Sequence, residues 1–375
     1  MSERKRSTRG SCASRASEAT DPSMKPFEVS HSKIKLARRC LKAYEYRYLR
    51  KLQKRVKSRP LIVGSLVHEC LEMWFRDGHY TPAIAKWKEG EYKKMFAEEQ
   101  ALHADVIPLV KSLIRGYIQN WHDSGLEMVW VEKEFRVRIG DSSDPESHLP
   151  DPGIWLIGKI DGKAREVKRP RITWLVEHKT CKRMPGEEVR IFDTQVLLYN
   201  AALGLIGEDP TTGVIWDYLR TKLPTKPHLL TRGDALSVAK NIDTTREVYE
   251  REIKRHGFNP AGYQDILEEL DGKRDQFYRQ IRLPMNKGMG QTILDEVVVT
   301  ANLLIYLESI YRKYPDTNQH LFTRNLTRDC SWCDYSTLCH SELRGEDTDY
   351  LLKHDYIVRV KNGDQEARSV EIEPD

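Results

Sequence analysis

The chain has 375 residues, of which 39% are hydrophobic and 31% are charged, with a formal net charge of +5. This length predicts one large domain, or a domain with a subdomain. The longest apolar run, near residues 297–307, is far shorter than the roughly 20 residues of a membrane-spanning helix. An odd total of seven cysteines is not typical of a disulfide framework. These features exclude a membrane protein and a secreted disulfide scaffold, and we expect a cytoplasmic protein.

Positive charge is concentrated at the N-terminus. Residues 1–60 contain 18 Lys and Arg against 5 Asp and Glu, a balance of +13, so the rest of the chain carries −8. Residues 1–26 are basic and serine-rich without the apolar segment of a secretory signal, and we expect a disordered tail there. Residues 27–60 are predicted to form a basic helical region in which tyrosines alternate with lysines and arginines. Such a stretch can bind phosphates and stack on unpaired bases.

Five side chains of this basic region are candidates for DNA contact. They are Arg38, Arg39, Lys42, Tyr44 and Arg47. The alternative is a solvated basic helix whose tyrosines pack inward.

The next segment, residues 61–125, has the apolar spacing of helices. Within it, Gly64 and His68 are separated by four positions and lie on one helical face. A lone histidine on such a face is more often an ordinary core or surface residue than a ligand. Residues 126–180 follow as a strand-rich core.

Two acidic residues in this core are candidates for metal binding. Asp161 follows an apolar stretch and precedes a glycine, which places it at a strand end or turn. Residues 173–180 have the composition of a buried strand, on which Glu177 and Lys179 point to the same side. Carboxylate oxygens suit magnesium and manganese, and the lysine can orient an attacking water. Taken alone the pattern is weak, because charged strand ends are usually solvated.

The rest of the chain is predicted to be mainly helical. Gln195 and Tyr199 lie on one face of a helix that follows the acidic strand, although an ordinary amphipathic helix has the same pattern. Residues 221–290 are interpreted as a helical insertion, and residues 296–313 as a further helix. Residues 341–375 contain ten acidic against five basic residues and predict an acidic tail.

Four cysteines have a spacing typical of a metal centre. Cys330, Cys333 and Cys339 form a Cys-x2-Cys-x5-Cys pattern, and Cys40 lies roughly 290 residues upstream. Four thiolates at uneven spacing are typical of iron-sulfur clusters. A Cys-x2-Cys pair is also common in zinc sites, and two core thiols near a surface loop are a further alternative, so the three C-terminal cysteines alone leave zinc and iron-sulfur open.

Considered in order, these motifs resemble the RecB-like branch of the PD-(D/E)XK nuclease superfamily. The most similar groups are the CRISPR-associated RecB-like exonucleases and the AddB-type nuclease domain, which carry an iron-sulfur cluster. The resemblance extends from about Ser30 to His340 and implies an α/β, restriction-endonuclease-like core with a mixed sheet flanked by helices, within a nuclease domain of residues 27–340. The family often has proline before its first aspartate, where this chain has Ile160 before Asp161.

The resemblance also implies a role for each motif residue. The implied ligands of Mg²⁺ or Mn²⁺ are His68, Asp161, Glu177 and the backbone carbonyl of His178. The implied catalytic set is Asp161, Glu177, Lys179, Gln195 and Tyr199, of which the last two form an accessory motif that contacts DNA and supports the active site. The implied ligands of a 4Fe-4S cluster, which would clasp the N- and C-terminal regions together, are Cys40, Cys330, Cys333 and Cys339.

The predicted function is metal-dependent DNA exonuclease activity on single strands or ends, in recombination, repair or replication. The sequence has no Gly-x4-Gly-Lys-Ser/Thr phosphate loop and therefore no sign of a helicase motor. Any helicase or recombination protein would be a separate partner. The resemblance suits a bacterial protein, or a phage protein in the host cytoplasm. Two alternatives remain: a non-catalytic nucleic-acid-binding protein with a zinc-stabilised fold, and a nuclease-fold subunit of a larger DNA-processing complex.

Overall fold

The computed structural model describes residues 26–141, 153–186, 193–209, 211–314 and 320–359. Its strands are β1 (Phe27–Val29), β2 (Leu52–Lys54), β3 (Leu126–Gly140), β4 (Ile154–Glu166), β5 (Thr173–Cys181), β6 (Gly213–Arg220), β7 (Tyr278–Pro284) and β8 (Tyr356–Val358). Its helices are α1 (His31–Arg39), α2 (Leu41–Tyr44), α3 (Arg59–Asp77), α4 (Thr81–Gly90), α5 (Ala97–Leu102), α6 (Val106–His122), α7 (Thr194–Leu205), α8 (Arg246–His256), α9 (Gln264–Gly272), α10 (Lys287–Lys313), α11 (Ser336–Arg344) and α12 (Asp349–Asp355).

Six strands form one mixed sheet with helices on both faces. The order is β1-β4-β5-β6-β7, and β3 pairs with β4. The β1–β4 and β5–β6 pairs are parallel, whereas the β3–β4, β4–β5 and β6–β7 pairs are antiparallel. The predicted mixed sheet flanked by helices is therefore confirmed.

Strand β6 is buried along nearly its whole length, from Gly213 to Leu219. Its almost continuous run of β-branched and aromatic residues is what a strand covered on both faces requires. The exception is Asp217, a fully buried carboxyl group.

Alternate side chains of β5 face opposite helical layers. Leu175 belongs to a core that includes residues of α7 and α10, whereas Val176 belongs to a second core with α3 and α6. Because strand side chains alternate, Glu177 faces the layer of α7, and His178 faces the layer of α6. Within the Glu177-His178-Lys179 motif, the carboxylate and the lysine therefore face one helical layer, and the histidine faces the other.

The long helices carry apolar residues at helical spacing on their buried faces. In α6 these include Val106, Leu109, Val110 and Leu113. Helix α10 begins earlier than the predicted residue 296, because the Asn286 side chain accepts a hydrogen bond from the Gly288 N–H and caps it. None of the described helices is both long and apolar enough to cross a membrane.

The edge of β4 that faces β5 is only partly paired. Residues 154–156 pair with β1, and residues 162–165 pair with β5. No described strand pairs with residues 157–161 on this side, although β3 continues along the opposite edge. The sheet is therefore open where Asp161 lies.

The C-terminal region differs from the predicted tail. Residues 341–359 complete α11 and form α12 and β8, and β8 pairs antiparallel with β2. Tyr356 is buried against Tyr335, with ring centroids 5.9 Å apart. The sequence analysis did not predict this short strand, because acidic residues predominate around it and its partner strand, β2, is distant in the sequence. The other residues of the two predicted tails, 1–25 and 360–375, lie outside the described residues.

The predicted insertion at residues 221–290 also needs correction. Helices α8 and α9 do form a small separate core. However, β7 falls inside the predicted range and belongs to the central sheet. The sequence analysis did not predict β7 as a strand. Only Tyr278 and Ile281 of this strand are buried, and polar residues separate them.

Candidate active site

Asp161 and Glu177 lie where β4 and β5 separate. The last backbone pair between these strands on the side of the site is Gly162 with Val176. Beyond it, the backbone N–H of His178 donates a 2.8 Å hydrogen bond to Asp161 Oδ2. The Asp161 carboxylate thus accepts the hydrogen bond from β5 that a backbone carbonyl of β4 would otherwise accept. This contact with the sheet fixes the position of the carboxylate.

Helix α3 brings His68 to this carboxylate. His68 Nδ1 lies 3.5 Å from Asp161 Oδ1. One turn earlier, Gly64 allows the helix to approach β5 closely, since a Cβ atom there would lie 3.3 Å from Thr180 Oγ1. The predicted Gly-x3-His pair therefore has a geometric reason: the glycine permits the approach that the histidine uses.

Lys179 and Gln195 hold one oxygen of Glu177. Lys179 Nζ contacts Glu177 Oε1 and donates to Gln195 Oε1 at 3.1 Å. Gln195 Nε2 donates to the same Glu177 oxygen at 2.7 Å. The other oxygen, Glu177 Oε2, is buried and has no hydrogen-bond partner. The structure thus brings these three predicted residues together and leaves one carboxylate oxygen free.

Tyr199 is buried next to this group. Its ring packs edge-to-face on Phe135, with centroids 5.5 Å apart. Burial raises the pKa of the Tyr199 hydroxyl, and the Glu177 charge raises it further, against a hydrogen bond with Gln195. Only 7% of the Tyr199 surface is exposed, and its ring belongs to the hydrophobic core next to α7.

The sequence interpretation missed Glu132. One ligand atom each from His68, Glu132 and Asp161 lie within 4.8 Å of one another. Glu132 has a φ of 51°, a left-handed conformation that costs a non-glycine residue roughly 1–3 kcal/mol and is concentrated at functional sites. Lys159 forms a 2.8 Å ion pair with its Oε2. Only the β3–β4 register could have indicated that Glu132 lies beside Asp161.

The electrostatics of the site separate its two central carboxyl groups. Burial raises the pKa of Glu177, and the charge of Asp161 raises it further. Burial also opposes ionisation of Asp161, but His68, His178 and Lys179 outweigh it and lower the pKa of that carboxyl. Opposite shifts are expected where two carboxylates share one site.

This group opens into a cleft of about 720 Å³. Its charged lining consists of His68, Glu69, Glu72, Lys86, Glu132, Lys159, Asp161 and Lys179. The cleft is therefore accessible from solvent, although the central carboxylates are buried.

A polar network supports the site from the opposite face of β5. The Tyr117 hydroxyl donates to Asp217 Oδ2 at 2.6 Å and lies 3.1 Å from His178 Nε2. Gln280 Nε2 donates to the same Asp217 oxygen at 3.3 Å. All but Gln280 are buried, so the His178 ring is held between α6 and β6. No pattern in the sequence indicates this network, because its members come from four separate elements.

The four cysteines of the predicted metal centre line one cavity. Cys40 precedes α2, Cys330 and Cys333 lie in and after a 3₁₀ turn, and Cys339 lies in α11. Among the described residues, no three of their sulfur atoms lie within 4.8 Å of one another. The structure therefore groups the four cysteines around one cavity without bringing three of their sulfur atoms into a tight cluster.

The basic region divides into interior and exterior side chains. Lys42 and Tyr44 are buried, and they donate to Glu45 at 2.7 Å and to Glu308 at 2.5 Å. Tyr44 therefore packs inward, as in the alternative interpretation, whereas the buried Lys42 fits neither a DNA contact nor a solvated helix. Arg38 is exposed and bonds to α10, whereas Arg39 and Arg47 line a pocket near the cysteines. The His178 carbonyl remains a predicted ligand.

We expect Asp217→Asn to change the pH dependence of stability. Burial raises the pKa of Asp217 to about 7 in the folded protein, against the hydrogen bonds from Tyr117 and Gln280; in an unfolded chain it is about 4. Between these values the folded state binds more protons, so the free energy of unfolding falls as pH rises. Relative to wild type, the variant gains up to about 4 kcal/mol between pH 4 and pH 7, measured by urea unfolding.

The matched control is Asp243→Asn. Burial acts to raise the pKa of Asp243, but Lys222 and Arg220 lower it overall. This variant should lose stability relative to wild type as pH rises from the lowered pKa of Asp243 to about 4, with no further change at higher pH, which is the opposite sign. A stability difference for Asp217→Asn that does not vary with pH would contradict the raised pKa.

Comparison with known proteins gives the family. A family model described as the PD-(D/E)XK nuclease superfamily matches residues 28–340. A solved structure titled "Crystal structure of SSO0001" is similar at 11% identity with a TM-score of 0.32, over 84% of this chain and 87% of that chain, a level that supports no conclusion. No curated protein matches the chain significantly. Because the family model covers most of the sequence and includes every residue of the site above, the chain belongs to the PD-(D/E)XK nuclease superfamily.

Proposed function

We propose that the chain is a metal-dependent deoxyribonuclease of the RecB-like branch, acting as an exonuclease on DNA ends or single strands. Membership of the nuclease superfamily supports DNA as the substrate. The observation that carries the proposal is the convergence of His68, Glu132 and Asp161 beside the Glu177–Lys179 pair. The pathway, the cytoplasmic location and a separate helicase or recombination partner remain predictions from the sequence.

The donor set fits Mg²⁺ or Mn²⁺. Asp161, Glu132 and Glu177 offer hard carboxylate oxygens, and His68 adds one imidazole nitrogen. The buried Glu177 Oε2 has no hydrogen-bond partner, which is costly for a carboxylate unless a cation balances it. The chemistry that divalent cations supply to such a site is charge neutralisation at the scissile phosphate and acidification of the attacking water.

The protein's own residues position the reaction. Lys179 is held between Glu177 and Gln195, so its ammonium group has a defined place from which to orient a water. Gln195 is in turn placed by α7, whose first turn is capped by Asp193. Asp161 is fixed by the His178 N–H. Such fixed geometry lowers the barrier because little reorganisation remains at the moment of reaction.

Glu177→Gln is expected to abolish metal-dependent cleavage while leaving the fold intact. The variant removes the buried charge but preserves shape, so DNA degradation should fall at least about a hundredfold, or about 2.7 kcal/mol in barrier height. Anaerobically purified protein is assayed on end-labelled single- and double-stranded DNA with Mn²⁺ or Mg²⁺. Products released from the labelled end in sequence distinguish an exonuclease from an endonuclease.

Glu134→Gln serves as the matched control, because Glu134 is exposed on the same strand as Glu132. It should retain activity. Retained cleavage by Glu177→Gln would exclude the proposed active site. No cleavage by folded wild-type protein would instead favour the nuclease-fold subunit of a larger complex.

Glu132→Gln is expected to weaken the use of the metal. Because Glu132 shares the ligand group of His68 and Asp161, the Mn²⁺ concentration for half-maximal activity should rise about ten- to a hundredfold, as for groups that support metal ligands. The measurement is a metal titration of initial rates. An unchanged titration would assign Glu132 to structure alone, as the ion-pair partner of Lys159.

We further propose that Cys40, Cys330, Cys333 and Cys339 hold a 4Fe-4S cluster that clasps the N- and C-terminal regions together. Support comes from their shared cavity and from the uneven Cys-x2-Cys-x5-Cys spacing with one distant cysteine in the sequence. The cavity adjoins the small core of Ala43, Tyr46, Leu338 and Tyr356. Loss of the cluster would therefore loosen contacts between distant segments.

Cys339→Ser should remove the brown colour and visible absorbance of the purified protein and lower its melting temperature. Cys181 lies outside the cavity, so Cys181→Ser should keep the colour and the melting temperature of the wild type. Iron and acid-labile sulfide analysis checks the assignment without relying on activity. A colourless wild-type protein that contains zinc and does not cleave DNA would support the zinc-stabilised nucleic-acid binder.

A further inference from the structure

One face of α1 lines a second pocket, outside the active-site cleft. Ser32, Lys35, Leu36 and Arg39 have the spacing of a single helical face and line this pocket of about 250 Å³. Its remaining lining residues are Arg47, Trp332, Asp334 and Tyr335. The pocket therefore joins the N-terminal basic region to the turn that carries the cysteines.

Trp332 is exposed in an unusual place. Its surface is 66% exposed, although it lies between Cys330 and Cys333 in the short turn beside the cysteine cavity. The neighbouring Tyr335 is buried and packs on Tyr46 and Tyr356. Burying a tryptophan is strongly favourable, so an indole left at the surface next to cations is available for a ligand with a flat apolar face.

Three cations line the same pocket as this indole. Lys35, Arg39 and Arg47 form no ion pair with any described residue, and the pocket lining contains one carboxylate, Asp334. Arg47 lies close to Tyr48 and Tyr335. By contrast, the nearby Lys42 and Arg50 are both paired with Glu342. The pocket thus keeps an excess of positive charge, which favours an anionic ligand.

Helix α1 connects the pocket to the active site. At its first residue, His31 Nε2 lies 3.2 Å from Thr194 Oγ1, immediately before Gln195. At its last residue, Arg39 reaches Cys333 Sγ at 4.0 Å. Nine helical residues span about 12 Å. That length corresponds to three or four stacked nucleotides at about 3.4 Å each.

We propose that this pocket is a subsite for single-stranded DNA, in which Lys35, Arg39 and Arg47 bind phosphates and one base stacks on Trp332. The inference rests on the proposed nuclease function for its choice of nucleic acid as ligand. Cations alternating with an exposed aromatic ring are the combination that binds single strands without sequence preference. A duplex end has no unstacked base to offer Trp332, so the subsite favours single strands.

The test measures binding without requiring cleavage. Full-length protein carrying Glu177→Gln, purified anaerobically, is titrated with a short fluorescein-labelled oligothymidylate and with a blunt duplex. Adding Trp332→Ala should raise the Kd for the oligothymidylate roughly 5- to 100-fold, the range for loss of one base stack, with little change for the duplex. Trp332→Phe should retain most of the affinity. Lys35→Ala should reduce the salt dependence of log Kd by about 1.

Tyr350→Ala provides the control, since this exposed aromatic residue lies on α12 outside the pocket. Equal affinity of the Trp332→Ala and parent proteins for single strands overturns the subsite even if the wild type cleaves DNA. If the affinities are equal and the Trp332→Ala protein also changes its oligomeric state, the indole belongs to a protein–protein contact, and the proposed subsite is likewise overturned. Conversely, a wild type that binds through Trp332 but does not cleave supports the subsite and refutes the nuclease function.

Discussion

The hydrogen bond from the His178 backbone to the Asp161 carboxylate is the contact on which the site depends. Backbone pairing between β4 and β5 ends one position earlier, at Gly162 and Val176. A continued ladder would fill the space between the strands with main chain. Instead, the side chain bridges the gap, and the strands separate enough for Lys179 to line an open cleft beside the buried Glu177. A rigid sheet and an accessible site are thereby combined at one position.

The separation of the strands concentrates charge in the interior. Asp161 and Glu177 are both buried, and Asp217 lies fully buried on the opposite face of the sheet. Each is costly to ionise there, and Glu132 adds backbone strain to the same region. Two hydrophobic cores, one on each face of the sheet, offset this cost. Superfamily membership explains why such a costly arrangement is useful, because clustered carboxylates suit divalent cations.

The two ends of the described chain meet on the other side of α1. Strand β2 pairs with β8, and Tyr46 donates to Glu342 at 2.5 Å across nearly 300 positions. The cysteine cavity lies in this same region, and α1 leads from it to Gln195. One short helix therefore contacts both the cysteine region and the residue that precedes Gln195. This connection gives the N-terminal basic region a structural role as well as an electrostatic one.

The sequence by itself indicated many of the helices and strands, because these depend on local patterns of alternation and helical spacing. The mixed sheet and most of the residues that meet in the cleft, such as Glu177 and Lys179, were implied by the resemblance of the ordered motifs to a nuclease superfamily, since each motif alone is weak. Only the tertiary structure placed Glu132 beside Asp161, buried Lys42 and Tyr44, and paired β8 with β2. Each of these depends on strand register or on packing between residues far apart in the chain. Local pattern fixes which side of an element a residue occupies, but packing decides what that side meets.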